Sequence, residues 1–444
     1  MGELGADLPL EVRSVLERLR VAGIRAYVVG GALRDLALGR PLRDVDLVVE
    51  GELASAGRAL PGAKAIGGER PLLIFAARPD RVRIEISALR GGAHELEGDL
   101  RLRDFTINAL ALDAATGACV DPLGGRADLA ARRLRTPDPA RAFRDDPVRV
   151  LRGARLAADC ALTVEASTRE AFERDSHRLA QAAGERVRDE LLRILALPGE
   201  PLCAALELLR RVGALASALP ELLRGVGVAQ NRHHVEDVYR HTLRVCALCP
   251  PDPLLRLAAL LHDAAKPDSK RFSARRREFT FLRHDLEAAP LVERAALRLR
   301  LSRRDADRVV RLVRHHLLYP ERLASARSIR RMLRRVGRDI LDDLLSLRRA
   351  DYASRTPDQS APAVWLDAER RVRELAESEG AVERNRGLAI RGKDVMEALG
   401  IEGGPDVGRW LRRAERRAVE HPEQNERELL LEWLRGAARE TGGE

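Results

Sequence analysis

The sequence predicts an α+β protein: an N-terminal head with a small mixed sheet, followed by all-α segments. Three observations carry this. Strand-like apolar runs are confined to residues 1–135. From about Phe143 onward, Ala, Leu, Arg and Glu dominate at helical spacing. Prolines near 137–139, 198–201, 250–253 and 357–362 punctuate the helical part. With 444 residues, 45% of them hydrophobic, the chain can build two to four domains with real cores.

Taken in order, "LEVRSVLERLRVA" (10–22) has helical periodicity and ends at Gly23. "AYVVGG" reads as a short buried strand and a tight turn, with a helix from about Ala32. "DVDLVVEG" is a second strand, and "RVRIEISAL" a third that alternates as strands do. No internal repeat is evident. The short basic runs "RRLRT" and "SARRRE" read as solvated faces.

The net charge of +10 and a pI near 10 suit a polyanionic partner. Only four residues are lysine (Lys64, Lys266, Lys270, Lys393), so the charge is nearly all arginine and permits nucleic-acid binding without establishing it. Aromatics make up 3%, which argues against base stacking on exposed aromatic platforms. No apolar run approaches the roughly 18 residues of a membrane span. The N-terminus lacks a basic start with an apolar core, so the expectation is a cytoplasmic protein with no membrane partner. Five irregularly spaced cysteines suit a reducing compartment, and Cys246 and Cys249 form one CxxC without a second pair.

The chemistry begins in "GGALRDLALGRPLRDVDLVVEG" (30–51). Residues i and i+2 of a strand share a face, so Asp44 and Asp46 project side by side. Adjacent carboxylates repel unless a cation joins them, and hard divalent ions such as Mg2+ take oxygen ligands while leaving positions open for phosphate. Gly30-Gly31 before a helix lets phosphate approach the backbone N–H groups, and Arg34 lies one turn into that helix. Glu85 on "RIEIS" offers a third carboxylate. The set points to two-metal phosphoryl transfer.

"GGALRD" with "LRDVDLVV" resembles the signature of the polymerase β-like nucleotidyltransferases. More narrowly, it resembles the class II tRNA nucleotidyltransferase and poly(A) polymerase family. "RDFTINALALD" (103–113), "DPLGGRADLAARRLRT" (121–136), "FRDDPVRVLRGARLA" (143–157) and "ERVRDELLRIL" (185–195) match its further motifs. The resemblance implies magnesium on Asp44 and Asp46 of the head. It also implies nucleotide contacts from Gly30, Gly31, Arg34, Arg103, Asp104, Asn108, Asp146, Arg149, Arg152 and Arg155. Two positions depart from the family pattern. Leu102 stands where a second arginine often precedes "RDFTINA", and Asp145 stands where the base-reading motif usually has Glu. Read physically, Asp146 and Arg149 at i, i+3 on a helix offer an acceptor beside a donor. That pair matches the amine and ring nitrogen of cytosine or adenine and rejects uracil and guanine.

Seven of the ten histidines fall between 233 and 316. "LAALLHDAAKP" puts His262 and Asp263 at the end of an apolar helix, with His241 before and Asp351 after. The order resembles the HD phosphohydrolase domain, implying a divalent transition metal on His241, His262, Asp263 and Asp351. His284 and one of His315 and His316, with His316 preferred, suit a second ion. His233 and His234 are expected at the surface or at a helix start. The tail resembles the helical region after HD domains in bacterial CCA-adding enzymes, and "GGPDVG" within it has no strand before it and no Lys-Ser/Thr after it, so it takes no nucleotide role.

The expected organisation is a head (1–136), a helical neck with the base-reading motif (137–225), an HD metal domain (226–362) and a tRNA-binding tail (363–444). The resemblance implies an enzyme that adds CCA, or CC or A only, to tRNA 3′ ends from CTP and ATP, with a possible HD phosphohydrolase activity. Poly(A) polymerase, an HD phosphohydrolase with a regulatory head, and a non-catalytic RNA-binding protein are the alternatives. Oligomeric state is not legible.

Overall fold

The structure, a computed structural model, describes residues 8–42, 44–67, 72–76, 82–89, 96–230, 236–275, 277–355, 359–385 and 388–441. His233 and His234 lie outside the described residues. The chain forms two compact units, Met1–Leu223 and Arg224–Glu444. No described helix is long and apolar enough to cross a membrane.

The first unit is built on seven strands: β1 (Ala26–Val29), β2 (Asp44–Val49), β3 (Lys64–Ile66), β4 (Leu72–Ala76), β5 (Arg83–Ala88), β6 (Ala111–Asp113) and β7 (Cys119–Val120). They form one mixed sheet in the order β3-β4-β5-β2-β1-β6-β7. Only β2 and β5 run parallel; every other pairing is antiparallel. Sequence pattern identifies β1, β2 and β5. It misses β3, β6 and β7, which have only two or three residues, and β4, an apolar run that does not alternate.

β2 decides where polar chemistry can sit. Val45, Leu47 and Val49 on one face are buried. On the other face Val48 is buried in a small core with Tyr27, Val29, Leu100, Ala109 and Ala111, whereas Asp44 and Asp46 are exposed. The two carboxylates therefore begin where the apolar cover of that face ends.

Downstream, the helix Val148–Asp159 packs on Gly184–Leu195 and Gly199–Arg211. Its core contact is a trio of aromatic rings, Phe105, Phe143 and Phe172, with centroids 4.7 to 6.5 Å apart. A short parallel pair, β8 (Arg133–Leu134) with β9 (Thr163–Val164), ties this region to the end of the head.

In the second unit, Val238–Leu248, Pro253–Leu261, His284–Arg298, Arg303–His315 and Leu341–Ala353 form a helical bundle. The region is helical as expected, with short strands added: β9 in the neck and a hairpin here. β10 (Lys270–Ser273) and β11 (Glu278–Phe281) form an antiparallel hairpin. Its strands are four residues each and interleave Phe with charged residues, a pattern that the basic run "SARRRE" masks. The tail's own core joins Ile390, Val395, Val407, Ala414, Leu430, Leu431 and Leu434, and "GGPDVG" is the start of the helix Pro405–Glu420.

Gly153 lets the 148–159 helix approach the aromatic trio: a Cβ there would stand 2.4 Å from Phe172 Cζ and 2.8 Å from Phe105 Cζ. Both rings are fully buried and cannot yield. Gly153→Ala should therefore destabilise the protein by about 1–3 kcal/mol, read as a shift in the urea midpoint.

Candidate active site and metal centre

Between β1 and the short helix Gly31–Ala37, Gly30 adopts φ 77°, a region that favours glycine. Space requires glycine as well. A Cβ at Gly30 would lie 2.9 Å from Arg103 Nη1 and 3.5 Å from Asp46 Oδ2. The turn thus gathers Gly30, Arg103 and Asp46. Across the parallel pairing, Asp46 is in register with Glu85 and Asp44 with Arg83. Three carboxylates occupy one sheet face, and Glu85 is ion-paired with Arg83 at 2.7 Å. The oxygen-only donor set of Asp44 and Asp46 at an exposed strand end fits a hard divalent ion; Glu85 already has a cation.

Arg34 lies beside Gly31 and donates through Nη1 to Asn108 Oδ1 at 2.7 Å. Asn108 Nδ2 donates to Asp104 Oδ1 at 3.0 Å, and Arg152 Nη1 donates to Asp104 Oδ2 at 2.9 Å. Arg152 Nε reaches Glu190 Oε1 at 3.2 Å, and Arg155 and Arg193 also donate to Glu190. One chain of charge-assisted bonds thus links Arg34, Asn108, Asp104, Arg152, Glu190 and Arg155. Burial would raise the Asp104 carboxyl, but Arg152, the Asn108 hydrogen bond and Arg149 hold it below the usual carboxylate range. Glu190 is lowered the same way, burial being outweighed by Arg155 and Arg152. Arg103 stands outside this chain and pairs with buried Asp99 at 3.0 Å.

The helical geometry expected of Asp146 and Arg149 does not form. Asp146 and Arg149 do not share a helix face. The helix Ala142–Asp145 ends before Asp146, whose φ of −147° and ψ of 92° are extended, and the next helix starts at Val148. Pro147 between them forces the break. The side chains still meet, 3.9 Å apart, because Arg149 N donates to Asp146 O across the turn. Asp146 Oδ2 also accepts from Arg186 at 2.7 Å, and Arg149 Nη2 donates to Leu102 O at 3.1 Å. Leu102, the family departure, contributes its carbonyl where its side chain cannot.

"DPLGGRADLAARRLRT" is mostly scaffolding. Asp121 accepts from the N–H groups of Gly125 and Arg126 at the start of Gly125–Ala130. Buried Asp128 gathers Thr106, Arg133 and Arg135 at 2.6 to 3.0 Å.

In the second unit, two groups share Asp263: His241, His262 and Asp263, and Asp263, His284 and His316, all buried. Three rings are oriented alike. Nδ1 of His262, His284 and His316 each lies 2.7 Å from a backbone carbonyl, of Ala259, Phe281 and Val313. A carbonyl only accepts, so each Nδ1 carries a proton and each ring turns its Nε2 inward. His284 Nε2 and His316 Nε2 are 3.3 Å apart. That separation suits either a hydrogen bond from one protonated ring to the other or a shared cation, and the imidazole and carboxylate donors of the cluster fit a transition metal. His316 is in the cluster; His315 is half-buried beside it. Burial, with His262 and His284 close by, pushes His316 well below the usual imidazole range. Asp263 is held well below the carboxylate range because His262, Lys266 and the His284 hydrogen bond outweigh its burial.

Asp351 is placed differently. It lies 3.3 Å from His241 Nε2 but belongs to neither group, and Arg348 and Arg355 clamp it. Sequence pattern misses these arginines, and it misses Lys266, whose Nζ is 2.6 Å from Asp263 Oδ2 and bonded to Gln230. Lys266 sits one turn after His262-Asp263, and that spacing is the available signal. Glu190 and Asp99 are missed too: Glu190 lies within "ERVRDELLRIL" without being singled out there, and Asp99 lies outside every motif.

Residues 26–135 match the poly A polymerase head domain family, 161–224 the probable RNA and SrmB-binding site of polymerase A, 233–356 the HD domain, and 297–434 a putative tRNA nucleotidyltransferase domain 2. The chain is 33% identical over 441 residues to the CC-adding tRNA nucleotidyltransferase of Thermus thermophilus, covering 94% of this chain and 96% of the relative. The chain belongs to the class II tRNA nucleotidyltransferase family. It is 35% identical to the A-adding tRNA nucleotidyltransferase of Deinococcus radiodurans, covering 89% and 92% of the two chains. The Bacillus stearothermophilus CCA-adding enzyme in complex with CTP superimposes with a TM-score of 0.68 at 27% identity, covering 97% and 98%. As a tRNA nucleotidyltransferase the protein belongs to a family that uses divalent metal, and its His/Asp groups could hold metal ions.

Asp104 gives this tRNA nucleotidyltransferase an acid signature. Its folded pKa is depressed, so its ionised form stabilises the fold above the unfolded carboxyl value of about 3.9. That stability is lost as pH falls from there through the lower folded value. Urea midpoints measured on descending from about pH 5 should drop in the wild type, and Asp104→Asn should flatten the drop while lowering stability at neutral pH.

Proposed function

We propose that this tRNA nucleotidyltransferase extends tRNA 3′ ends with C, C and A, or part of that set, using CTP and ATP at the head. The observation that carries this reading is the convergence of Asp44, Asp46 and the Gly30–Arg103 approach on one sheet face. Asp44 and Asp46 would hold magnesium, with Glu85 adjoining; bound there, the ions supply charge neutralisation on the triphosphate and activation of the attacking hydroxyl. Arg34 and Arg103 bind phosphate, each backed by a carboxylate, Asp35 and Asp99, that fixes the guanidinium. The RNA 3′-oxygen bonds the α-phosphorus, the α–β bridging P–O bond breaks, and pyrophosphate leaves. Asp104, Arg152, Arg155 and Glu190 hold the neck helix against the head so that Arg149 and Asp146 meet the incoming base. Asp146 accepts from the exocyclic amine of C or A, and Arg149 donates to the ring nitrogen.

The HD cluster is the second centre. His241, His262, Asp263, His284 and His316 would hold a divalent transition metal, with Asp351 adjoining, and the metal would supply a nucleophilic water for phosphate-ester hydrolysis.

The deciding assay incubates tRNAs ending at the discriminator base, in C and in CC with each triphosphate separately. Limited addition supports the reading, and long adenylate tracts would favour poly(A) polymerase instead. In that assay Asp46→Ala or Asp44→Ala should lower turnover to below about a tenth of wild type with tRNA affinity nearly intact. Asp146→Ala should raise UTP or GTP incorporation relative to CTP and ATP by roughly tenfold to hundredfold, the worth of one buried hydrogen-bond partner. Equal slowing of all four nucleotides would make the pair structural. His262→Ala with Asp263→Ala should abolish bound transition metal, measured by elemental analysis, and spare nucleotide addition.

A further inference from the structure

The hairpin β10–β11 carries an aromatic sheet face, and the proposed function makes no use of it. The chain has seven phenylalanines, and three of them, Phe272, Phe279 and Phe281, fall within ten residues. Phe105, Phe143 and Phe172 are fully buried, whereas Phe272 is 63% and Phe279 38% exposed. Phe272 and Phe279 are direct register partners, with ring centroids 5.7 Å apart and nearly perpendicular. Lys270 and Phe281 are the next pair on the same face, because alternate residues of a strand point the same way. Lys270 Nζ lies 4.2 Å from the Phe279 centroid. Residues 270–283 hold six Lys or Arg against one carboxylate, Glu278.

This face leads to the histidine cluster. Phe281 O receives the Nδ1 proton of His284, and Lys266 Nζ lies 5.5 Å from the Phe281 ring and 2.6 Å from Asp263 Oδ2. Exposed aromatic rings cost free energy in water unless something covers them. Here the surroundings are cationic, so the cover that fits is a polyanion with flat apolar faces. Unpaired nucleotides have both properties: a phosphate backbone for the guanidinium groups and a base for the rings.

We propose that the Phe272–Phe279 face is a stacking platform for unpaired nucleotides of an RNA strand, and that it presents the strand's phosphate ester to the HD cluster. The proposal rests on the reading that the protein handles RNA and that the HD cluster is a phosphohydrolase centre. It adds the substrate class, a single-stranded RNA segment. It also qualifies the expectation from composition, since a chain with few aromatics can still concentrate them on one hairpin.

The test uses the full-length protein and a short unstructured oligoribonucleotide carrying 2-aminopurine at its 3′ end. Wild type should bind it and quench the fluorophore by stacking. Phe272→Ser with Phe279→Ser should weaken binding roughly fivefold to hundredfold and abolish the quench, while Phe272→Trp retains both. Arg275→Ser with Arg277→Ser should weaken binding and keep the quench at saturation. It should also lower the slope of log affinity against log salt by about 0.7 for each phosphate that no longer has a guanidinium partner. Both serine variants should keep the wild-type rate of nucleotide addition to tRNA. Unchanged affinity and quench in the phenylalanine double variant would overturn the proposal. So would a shift of that variant from dimer to monomer in light scattering with RNA binding intact, which would make the face an interface between copies. A wild type that binds and quenches the oligonucleotide but adds nothing to tRNA would sink the proposed function and leave the platform standing.

Discussion

The Asp104 carboxylate is the constraint on which the first unit depends. It is buried, and both of its oxygens are committed: Oδ1 to Asn108 and the Phe105 N–H, Oδ2 to Arg152. Arg152 belongs to the neck helix and Asn108 to the segment that contacts Arg34. A single ionised group therefore fixes the neck arginines relative to the turn that carries Gly30 and the strand that carries Asp46. A buried charge is tolerated only when fully paired, so the network cannot be loosened at one member without exposing the cost at the others.

The second unit solves a different problem with the same residue types. In the head the carboxylates Asp44 and Asp46 face solvent, where an ion and a triphosphate can enter. In the HD cluster, four histidines and Asp263 are enclosed, and backbone carbonyls hold three of the rings with Nε2 inward. Lys266 on Asp263, and Arg348 with Arg355 on Asp351, offset the buried negative charge. Those cations make Asp351 a residue with two possible partners, a guanidinium clamp or a metal, and place it apart from the two ligand groups.

Much of this is legible in order along the chain. The i, i+2 spacing of Asp44 and Asp46 fixes a shared face, and the parallel partner Glu85 is identifiable from its strand. His262-Asp263 with His241, His284 and His316 is readable because histidine is rare enough here for a cluster to stand out. The misses share a cause. The i, i+3 spacing puts Asp146 on a helix only by ignoring the conformational effect of Pro147. Arg348 and Arg355 are invisible because arginines are everywhere in this chain, and burial distinguishes a clamp from a solvated charge; Lys266 is signalled only by its spacing after His262-Asp263. The hairpin escapes because its four-residue strands lack the continuous apolar run that reveals the equally short β1, and flank a basic run.

The sequence by itself determined the order of the motifs, the family to which they point, and which side chains can ligate, donate or accept, because those properties belong to residue type and spacing. Tertiary structure decided which of them meet. It set Glu85 beside Asp46 but also against Arg83, joined Asp104 to Arg152 across forty-eight positions, and brought His284 against His316 across thirty-two. It also left Phe272 and Phe279 in solvent. Spacing governs only neighbours within a turn or a strand; contact between distant segments is fixed by how the apolar faces pack, and that free energy is shared among many residues that no motif contains.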